Sequence, residues 1–253
     1  MRMAVAGGTG VVGTYVVQAA EAAGHTIVVL SRSSGVDLRR HECLASALEG
    51  VEVIIDTANT NTTNRAKATA FFTEVTGRLQ AVGATQGVAR LITLSIVGID
   101  RVGFGYYRAK LAQEAAALHG PVPATIVRAT QFHEFPAQVL GRSRLGPIAV
   151  VPIMRIQPIA ARFVGQFLVE TAAEAPSEHI VEIAGPEQED LVELARRMVS
   201  QRGLHLVVLP LPMPGAAGRA MRHGGQLPLA GVRTGGPSFT DWLAGGDARK
   251  PKF

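Results

Sequence analysis

The chain has 253 residues, 47% of them hydrophobic, which is enough for one large domain or for a domain with an appended lobe. Its single cysteine, Cys43, excludes an internal disulfide and is typical of a reducing compartment. No apolar run approaches the roughly 20 residues that span a bilayer, and glycines interrupt the amino-terminal segment before a signal peptide could form. We therefore expect a soluble, cytoplasmic protein without a membrane partner.

The net charge of +5 raises the question of nucleic-acid binding. Residues 1–202 hold 19 basic and 18 acidic side chains, whereas residues 203–253 hold 6 and 2. The excess lies in a Gly- and Pro-rich stretch that ends in DARKPKF and lacks the interleaved aromatic residues of single-strand binders. The pattern predicts a solvated tail and no nucleic-acid partner.

Apolar segments rich in Val and Ile alternate with proline-free segments at helical spacing along most of the chain. Such alternation predicts an α/β fold with a parallel sheet covered on both faces. The strand segments are MRMAVA, TIVVLS, VEVIIDTA, RLITLSIVG, ATIVRAT and HIVEIAG, and the helical segments are 11–23, 41–49, 64–82, 106–119 and 160–174.

The alternation is interrupted twice, by an irregular segment at residues 131–154 and by the region after about residue 185. The second region contains one clear helix, EDLVELARRMVSQRG, followed by Pro- and Gly-punctuated sequence. We predict a nucleotide-binding domain of residues 1–130 and 155–185, and a small discontinuous lobe and tail of residues 131–154 and 186–253.

The first strand leads into a glycine turn and then a helix, with Gly7, Gly10 and Gly13 at G-x-x-G-x-x-G spacing. In dinucleotide-binding folds such glycines permit the tight turn, the close approach of a pyrophosphate and the packing of the helix on the strand. The helix amino terminus supplies N–H groups to the phosphates. Further candidates for cofactor contacts in this turn are Thr9, Val11 and Val12.

The second strand ends in VLSRSSG, so Ser31 and Arg32 stand where NAD-selective proteins usually carry an acidic residue. A guanidinium can pair with a 2′-phosphate that an acid would repel, which favours NADP (NADPH) as the cofactor. Asp37 and the strand end that carries Thr57, Ala58 and Asn59 would border the adenine and ribose. A turn-forming aspartate and a helix-capping asparagine are equally open interpretations.

The stretch GYYRAKLAQE places Tyr106 and Lys110 one helical turn apart, and Ser95 ends the preceding strand. A free tyrosine near pKa ~10 is a poor acid at neutral pH, and a nearby ammonium favours the phenolate. Tyr107 has Leu111 four residues on, so Tyr106 is the tyrosine with a lysine partner. Ser95, Tyr106 and Lys110 are the predicted catalytic residues.

With these motifs, the sequence resembles the short-chain dehydrogenase/reductase superfamily, and within it the atypical, NmrA-like branch. The resemblance covers roughly residues 1–185 through GGTGVVG, SRS, LSIVG, YYRAK and IVRATQFHEF. It implies a Rossmann-type, doubly wound fold, an NADP-type cofactor that Lys110 also contacts, and catalysis by the three residues above. By the same resemblance, Thr130 lies at the cofactor, and Gln131 and Phe132 at its boundary with the substrate.

The sequence also departs from the superfamily pattern. The gap between Ser95 and Tyr106 is short, and no residue matches the asparagine of the main-branch proton relay. The NmrA-like branch includes members that bind cofactor without turnover and typically lack the Tyr/Lys pair. This chain has that pair, which favours an enzyme.

His133, Glu134 and Phe135 follow in the same segment. The His-Glu pair would either bind or protonate a substrate or form a surface hydrogen-bonding pair, and Phe135 is a further candidate for substrate contact. The seven histidines never reach metal-ligand spacing, and no paired-cysteine motif is present, so we expect no metal.

The sequence therefore predicts an NADPH-dependent oxidoreductase that acts on a carbonyl or related unsaturated group of a small, mostly apolar substrate. Two alternatives stay open: an epimerase or dehydratase that uses bound cofactor transiently, and a redox-sensing regulator that binds NADP and a protein partner. The composition is also compatible with a homo-oligomer.

Overall fold

The computed structural model describes residues 1–62, 64–175 and 179–245. The chain divides into two compact units, a first formed by residues 1–96, 104–128 and 162–181, and a second formed by residues 97–103, 129–161 and 182 onwards. Each unit is built from three separate stretches of chain. The predicted division differs from this one mainly because residues 97–103 and 155–161 belong to the second unit.

Strands and helices alternate through residues 1–129 in the order that the apolar pattern predicts. These elements are β1 (Arg2–Ala6), α1 (Val11–Ala22), β2 (Thr26–Leu30), α2 (His41–Ala47), β3 (Val53–Asp56), α3 (Arg65–Thr85), β4 (Arg90–Ile96), α4 (Gly105–Leu118) and β5 (Ala124–Ala129). The elements that follow are α5 (Phe135–Arg142), β6 (Arg144–Leu145), β7 (Ile148–Pro152), β8 (Arg155–Ile156), α6 (Ala161–Ala173), β9 (Ile180–Ala184), β10 (Glu189–Asp190), α7 (Leu191–Gln201), β11 (Val207–Leu211), α8 (Gly215–Arg222), β12 (Arg233–Thr234) and α9 (Phe239–Ala244).

A seven-stranded parallel sheet runs in the order β2, β1, β3, β4, β5, β9 and β12, which confirms the predicted Rossmann-type α/β class. Ala6 pairs with Leu30 on one side and with Asp56 on the other, so β1, β2 and β3 end in register. The residues that follow these three strands therefore lie side by side at one carboxyl edge, where open parallel sheets bind ligands.

The core of the first unit lies between β1, β3 and β4 and the helices that cover them. The buried strand residues Ala4, Ile54 and Leu91 pack in one cluster with Leu44 of α2 and Leu79 of α3. This core holds the ends of β1 and β3 in fixed positions.

No helix in the described ranges is both long enough and apolar enough to cross a membrane.

A smaller sheet joins the two irregular segments of the second unit, since β7 pairs with β11 in parallel and with β6 in antiparallel. Residues 207–244 were predicted as part of a solvated tail, but most of them lie in strands and helices. Phe239 and Trp242 of α9 are 1% and 4% exposed. The expectation of a solvated tail was wrong for this stretch because Phe239 and Trp242, one helical turn apart on α9, are buried and anchor it. The basic DARKPKF end lies outside the described residues.

Candidate functional site

The glycine turn after β1 contains two positions that admit no side chain. Gly7 has a φ of +73°, and a Cβ atom there would lie 2.9 Å from the Ala58 Cα and from the Thr57 carbonyl oxygen. A Cβ atom at Gly13 would lie 2.2 Å from the Gly7 carbonyl oxygen. The two glycines therefore allow the turn to approach the end of β3 and allow α1 to pack on the turn.

Gly10 differs from these two glycines because it is exposed, and a Cβ atom there would meet only the Gly7 carbonyl oxygen, at 3.1 Å. It is the N-cap of α1, with no side-chain cap and no acidic residue in the first turn of the helix. The open approach and the uncapped N–H groups fit an anionic pyrophosphate. Thr9 and Val11 are exposed beside it, whereas Val12 is buried.

Ser31 follows β2 and builds the turn that presents Arg32. The Ser31 hydroxyl accepts the Ser34 backbone N–H and caps the short 3₁₀ turn Arg32–Ser34, which ends at Gly35 with a φ of +81°. Ser31 is itself buried, at 8% exposure, while the Arg32 side chain is exposed. The structure thus gives Ser31 a capping contact within the chain and leaves Arg32 accessible at the edge of the sheet.

Asp37 lies in the loop after this turn, where its carboxylate accepts the backbone N–H of Arg39 at 3.0 Å. This bond is the turn-forming contact that the sequence left open. The Thr57 N–H and hydroxyl both donate to the Ala6 carbonyl oxygen, at 2.9 and 2.8 Å. Thr57 and Ala58 therefore run directly alongside the glycine turn.

Tyr106 is half-buried at the start of α4, and its hydroxyl donates to the Asn59 Oδ1 at 2.7 Å. Its ring makes an edge contact with Phe72 of α3, with centroids 5.9 Å apart. Tyr107 instead makes an edge contact with Phe104. The hydroxyl of Tyr106 is thus held at the end of β3, one residue beyond the contact between Ala58 and Gly7.

Lys110 is 5% exposed, and its Nζ donates to the Leu94 carbonyl oxygen at 2.7 Å and to the Gln113 Oε1 at 2.5 Å. The same ammonium lies 4.8 Å above the centre of the Phe72 ring. Burial lowers the pKa of Lys110 to about 8, and the charges of Asp56 and Glu114 partly oppose this shift. Phe72 therefore has Tyr106 at its edge and the ammonium over its face.

Asp56 lies at the end of β3 with no exposed surface. Its carboxylate accepts the Ala58 N–H, the Thr76 hydroxyl and the Gln113 amide, each at 3.0 Å. Burial raises the pKa of Asp56, and these bonds and the nearby Lys110 lower it in part. A buried polar network therefore connects β3, α3 and α4, and no residue spacing in the sequence indicated it.

Ser95 is 2% exposed, and its hydroxyl donates to the Glu114 Oε1 at 2.5 Å. Glu114 also accepts two bonds from Arg128, at 2.9 and 2.7 Å, which form a buried ion pair. The Ser95 hydroxyl thus donates to a buried carboxylate, whereas the Tyr106 hydroxyl donates to the exposed side chain of Asn59. Glu114 lies four residues after Lys110, so its place on the same helical face was the available sequence signal.

The remaining candidates belong to the second unit. Thr130 and Gln131 are 2% and 8% exposed, and in the part of the chain that the structure describes, neither side chain has a hydrogen-bond partner. Phe132 and Phe135 are half-buried nearby in the chain.

His133 has no exposed surface and packs against α9, with its ring centre 5.6 Å from that of Phe239 and 5.3 Å from that of Trp242. Its Nε2 lies 3.1 Å from the Pro237 carbonyl oxygen. Burial lowers the pKa of His133 to about 4. Because the aromatic residues of α9 enclose this ring, the expectation of a surface hydrogen-bonding pair is wrong for His133, and a substrate contact stays a prediction.

Acid should therefore destabilise the second unit through His133. The unfolded chain takes up a proton near pH 6.5, while the folded His133 stays neutral until about pH 4, so stability is lost as the pH falls between these values. The loss should approach about 3 kcal/mol. Urea unfolding followed by the fluorescence of Trp242, the only tryptophan, measures it. His133→Gln should flatten the dependence, and an unchanged slope would contradict the assignment.

In a comparison with protein-family models, residues 3–97 match the model described as the NAD dependent epimerase/dehydratase family. This range contains the glycine turn, the Ser31–Arg32 turn and the strand that carries Ser95. No curated protein sequence matches the chain.

Solved structures resemble the whole chain. A short-chain dehydrogenase/reductase superfamily protein from Agrobacterium tumefaciens with bound NAD is 17% identical, with a TM-score of 0.70 over 96% of this chain and 95% of that one. The NADPH-dependent quinone oxidoreductase QOR2 from Escherichia coli, complexed with NADPH, is 16% identical, with a TM-score of 0.71 over 96% and 98%. UDP-N-acetylglucosamine 4-epimerase from Bacillus cereus is 16% identical, with a TM-score of 0.67 over 92% and 97%.

These likenesses establish the fold over nearly the full length, and the family match covers its amino-terminal part. The NmrA-like branch stays a prediction. Residues 3–97 thus match an NAD dependent epimerase/dehydratase model, and the solved structures, at 16–17% identity, show that nearly the whole chain shares their Rossmann-type fold.

Proposed function

We propose that the chain is an NADPH-dependent reductase that adds hydrogen across a carbonyl or related unsaturated group of a small, mostly apolar molecule. The observation that carries this proposal is the position of the Tyr106 hydroxyl. It bonds to Asn59, next in the chain to Ala58, which lies against Gly7 of the glycine turn. A proton donor and a dinucleotide cradle therefore share the carboxyl edge of one sheet.

The reduced nicotinamide supplies the hydride when the cofactor is bound. Tyr106 donates its phenolic proton to the oxygen of the former carbonyl as the hydride reaches the carbon, so that the carbonyl becomes an alcohol. The resulting phenolate then recovers a proton from solvent. The buried Lys110 ammonium favours that phenolate, and its bonds to Leu94 and Gln113 hold it in place.

The preference for NADPH rests on Arg32. Its guanidinium is exposed at the edge of the sheet, on a turn that Ser31 and Gly35 hold in shape. Asp37, the first carboxylate after β2, is turned toward the Arg39 N–H. An exposed arginine next to β2, with that acid bonded inside the loop, suits a 2′-phosphate better than a ribose hydroxyl.

Arg32→Ala should weaken NADPH binding tenfold to hundredfold and leave NADH binding nearly unchanged, because one charge-assisted contact contributes about 1.5–3 kcal/mol. Fluorescence titration of both cofactors into wild type and variant measures the effect. Arg39→Ala is the matched control, since Arg39 pairs with Glu74 at 3.5 Å. Equal affinities of the wild type for NADPH and NADH would contradict the assignment.

The expectation of an apolar substrate rests on the sequence of residues 131–154, which contain a single acidic residue, Glu134. A panel of quinones, aromatic ketones and aldehydes, with NADPH oxidation followed at 340 nm, tests this class.

The match to an epimerase/dehydratase family model favours one alternative, an epimerase or dehydratase that oxidises and re-reduces its bound cofactor within each turnover. In that case, product would form without net oxidation of NADPH.

A further inference from the structure

The side-chain amide of Asn59 lies next to the hydroxyl of Tyr106, the proposed proton donor. Its Oδ1 accepts the Tyr106 hydroxyl at 2.7 Å and also accepts the backbone N–H of Thr60 at 2.7 Å. A backbone N–H can only donate, so the atom that meets both donors is the amide oxygen and not the amide nitrogen. The Tyr106 hydroxyl, in turn, is the donor of its bond to Asn59.

We propose that Asn59 is a positioning residue for Tyr106, whose amide oxygen holds the phenolic proton in place until the substrate oxygen takes it. This inference rests on the proposed function, in which Tyr106 is the proton donor. The edge contact with Phe72 restrains the ring, and the bond to Asn59 restrains the hydroxyl. Together they fix the direction in which the proton points.

The bond also has an electrostatic consequence. A neutral phenol donates to the Asn59 oxygen, whereas a phenolate would face the lone pairs of that oxygen, so the contact favours the protonated form. In the proposed function Lys110 acts in the opposite direction, because a positive charge one helical turn further along α4 favours the phenolate. Asn59 therefore keeps the proton on the donor, while Lys110 stabilises the anion that remains after the transfer.

Other titratable and charged groups lie on the described elements that pack around Tyr106. On α4 they include Lys110 and Tyr107, whose ring centre is 6.2 Å from that of Tyr106. On α3, Arg65 lies against Gly105, where a Cβ atom would be 3.4 Å from it, and Asp56 at the end of β3 acts on Lys110. All these groups are retained when Asn59 is replaced, so a changed titration of Tyr106 reports on Asn59.

The test is an NMR titration of protein labelled with ¹³Cζ-tyrosine, in which Tyr106→Phe and Tyr107→Phe assign the signals of two of the three tyrosines. Asn59→Ala should lower the midpoint of the Tyr106 titration by about 0.5 to 1 pH unit, as expected from the loss of one hydrogen bond. Asn59→Asp should raise it, because a carboxylate is a stronger acceptor for the same proton. Asn61→Asp adds the same charge two residues further along the chain and is the matched control.

The pH profile of carbonyl reduction gives the second readout, since the reaction needs the protonated phenol. The alkaline limb of kcat should move to lower pH in Asn59→Ala and to higher pH in Asn59→Asp. If Asn59 only supported the local fold, the alkaline limb of kcat would shift in the same direction in both variants. Midpoints that are unchanged in both variants, or that shift equally in Asn61→Asp, would overturn the inference.

The two proposals can fail separately. If the Tyr106 midpoint shifts in opposite directions in the two Asn59 variants but no carbonyl compound is reduced, the hold of Asn59 on the phenolic proton is upheld and the reductase function is rejected. If carbonyl compounds are reduced and the Tyr106 midpoint does not move, the reductase stands and the role of Asn59 is rejected.

Discussion

Tyr106→Phe is expected to reduce turnover by about 10²- to 10⁴-fold, the usual contribution of a positioned proton donor. The change removes one hydroxyl and with it the bond to Asn59, but it keeps the ring that contacts Phe72. NADPH should still bind, because the glycine turn and Arg32 are untouched. Steady-state kinetics with the best substrate of the carbonyl panel, together with a cofactor titration, measure both effects.

Tyr107→Phe is the matched control for this experiment. It removes the same atom from the neighbouring residue, whose ring contacts Phe104. Its turnover should stay within a few-fold of the wild-type value, because a phenol that faces other partners contributes no proton to the reaction. Equal losses in the two variants, or a fully active Tyr106→Phe protein, would show that the proton comes from elsewhere.

Gly13→Ala is expected to abolish measurable NADPH binding and to destabilise the fold by about 1–3 kcal/mol or more, the usual cost of overpacking. The added methyl group would lie 2.2 Å from the Gly7 carbonyl oxygen and 2.7 Å from the Gly8 Cα. These are backbone atoms, so α1 must move away from the turn that it closes. Thermal unfolding and a fluorescence titration with NADPH measure the two effects.

Gly10→Val separates binding from folding in the same turn. A Cβ atom there meets only the Gly7 carbonyl oxygen, at 3.1 Å, so the variant should lose much less stability than Gly13→Ala. Its side chain would nevertheless occupy the approach of the pyrophosphate and block the cofactor. A folded Gly10→Val protein with unchanged NADPH affinity would contradict the phosphate site, and a fully stable Gly13→Ala protein would contradict the packing argument.

The strands and the glycine turn could be predicted from the sequence, because each depends on the spacing of residues that are close together in the chain. The glycine spacing indicated the turn, and the apolar segments indicated strands that the structure gives as Arg2–Ala6, Thr26–Leu30 and Val53–Asp56. Since parallel strands bring their carboxyl ends to one edge, the sequence also indicated that Asn59 and Tyr106 belong near the glycine turn.

The partners of the polar side chains could not be predicted, because they depend on which faces of distant elements meet. The bond from the Ser95 hydroxyl to Glu114 is one example, and the role of Ser95 at the substrate stays a prediction. His133 stood in a segment that reads as a loop, and α9, about a hundred residues later, encloses it. Neither contact has a signal in the spacing of neighbouring residues.

The interrupted path of the chain has a consequence for its synthesis on the ribosome. The first unit includes residues 162–181, and the core of the second includes Phe239 and Trp242. At about 5–20 residues per second, the nascent chain carries His133 for on the order of ten seconds before its aromatic partners emerge from the exit tunnel. We therefore expect the second unit to complete its core only after Trp242 has left the exit tunnel.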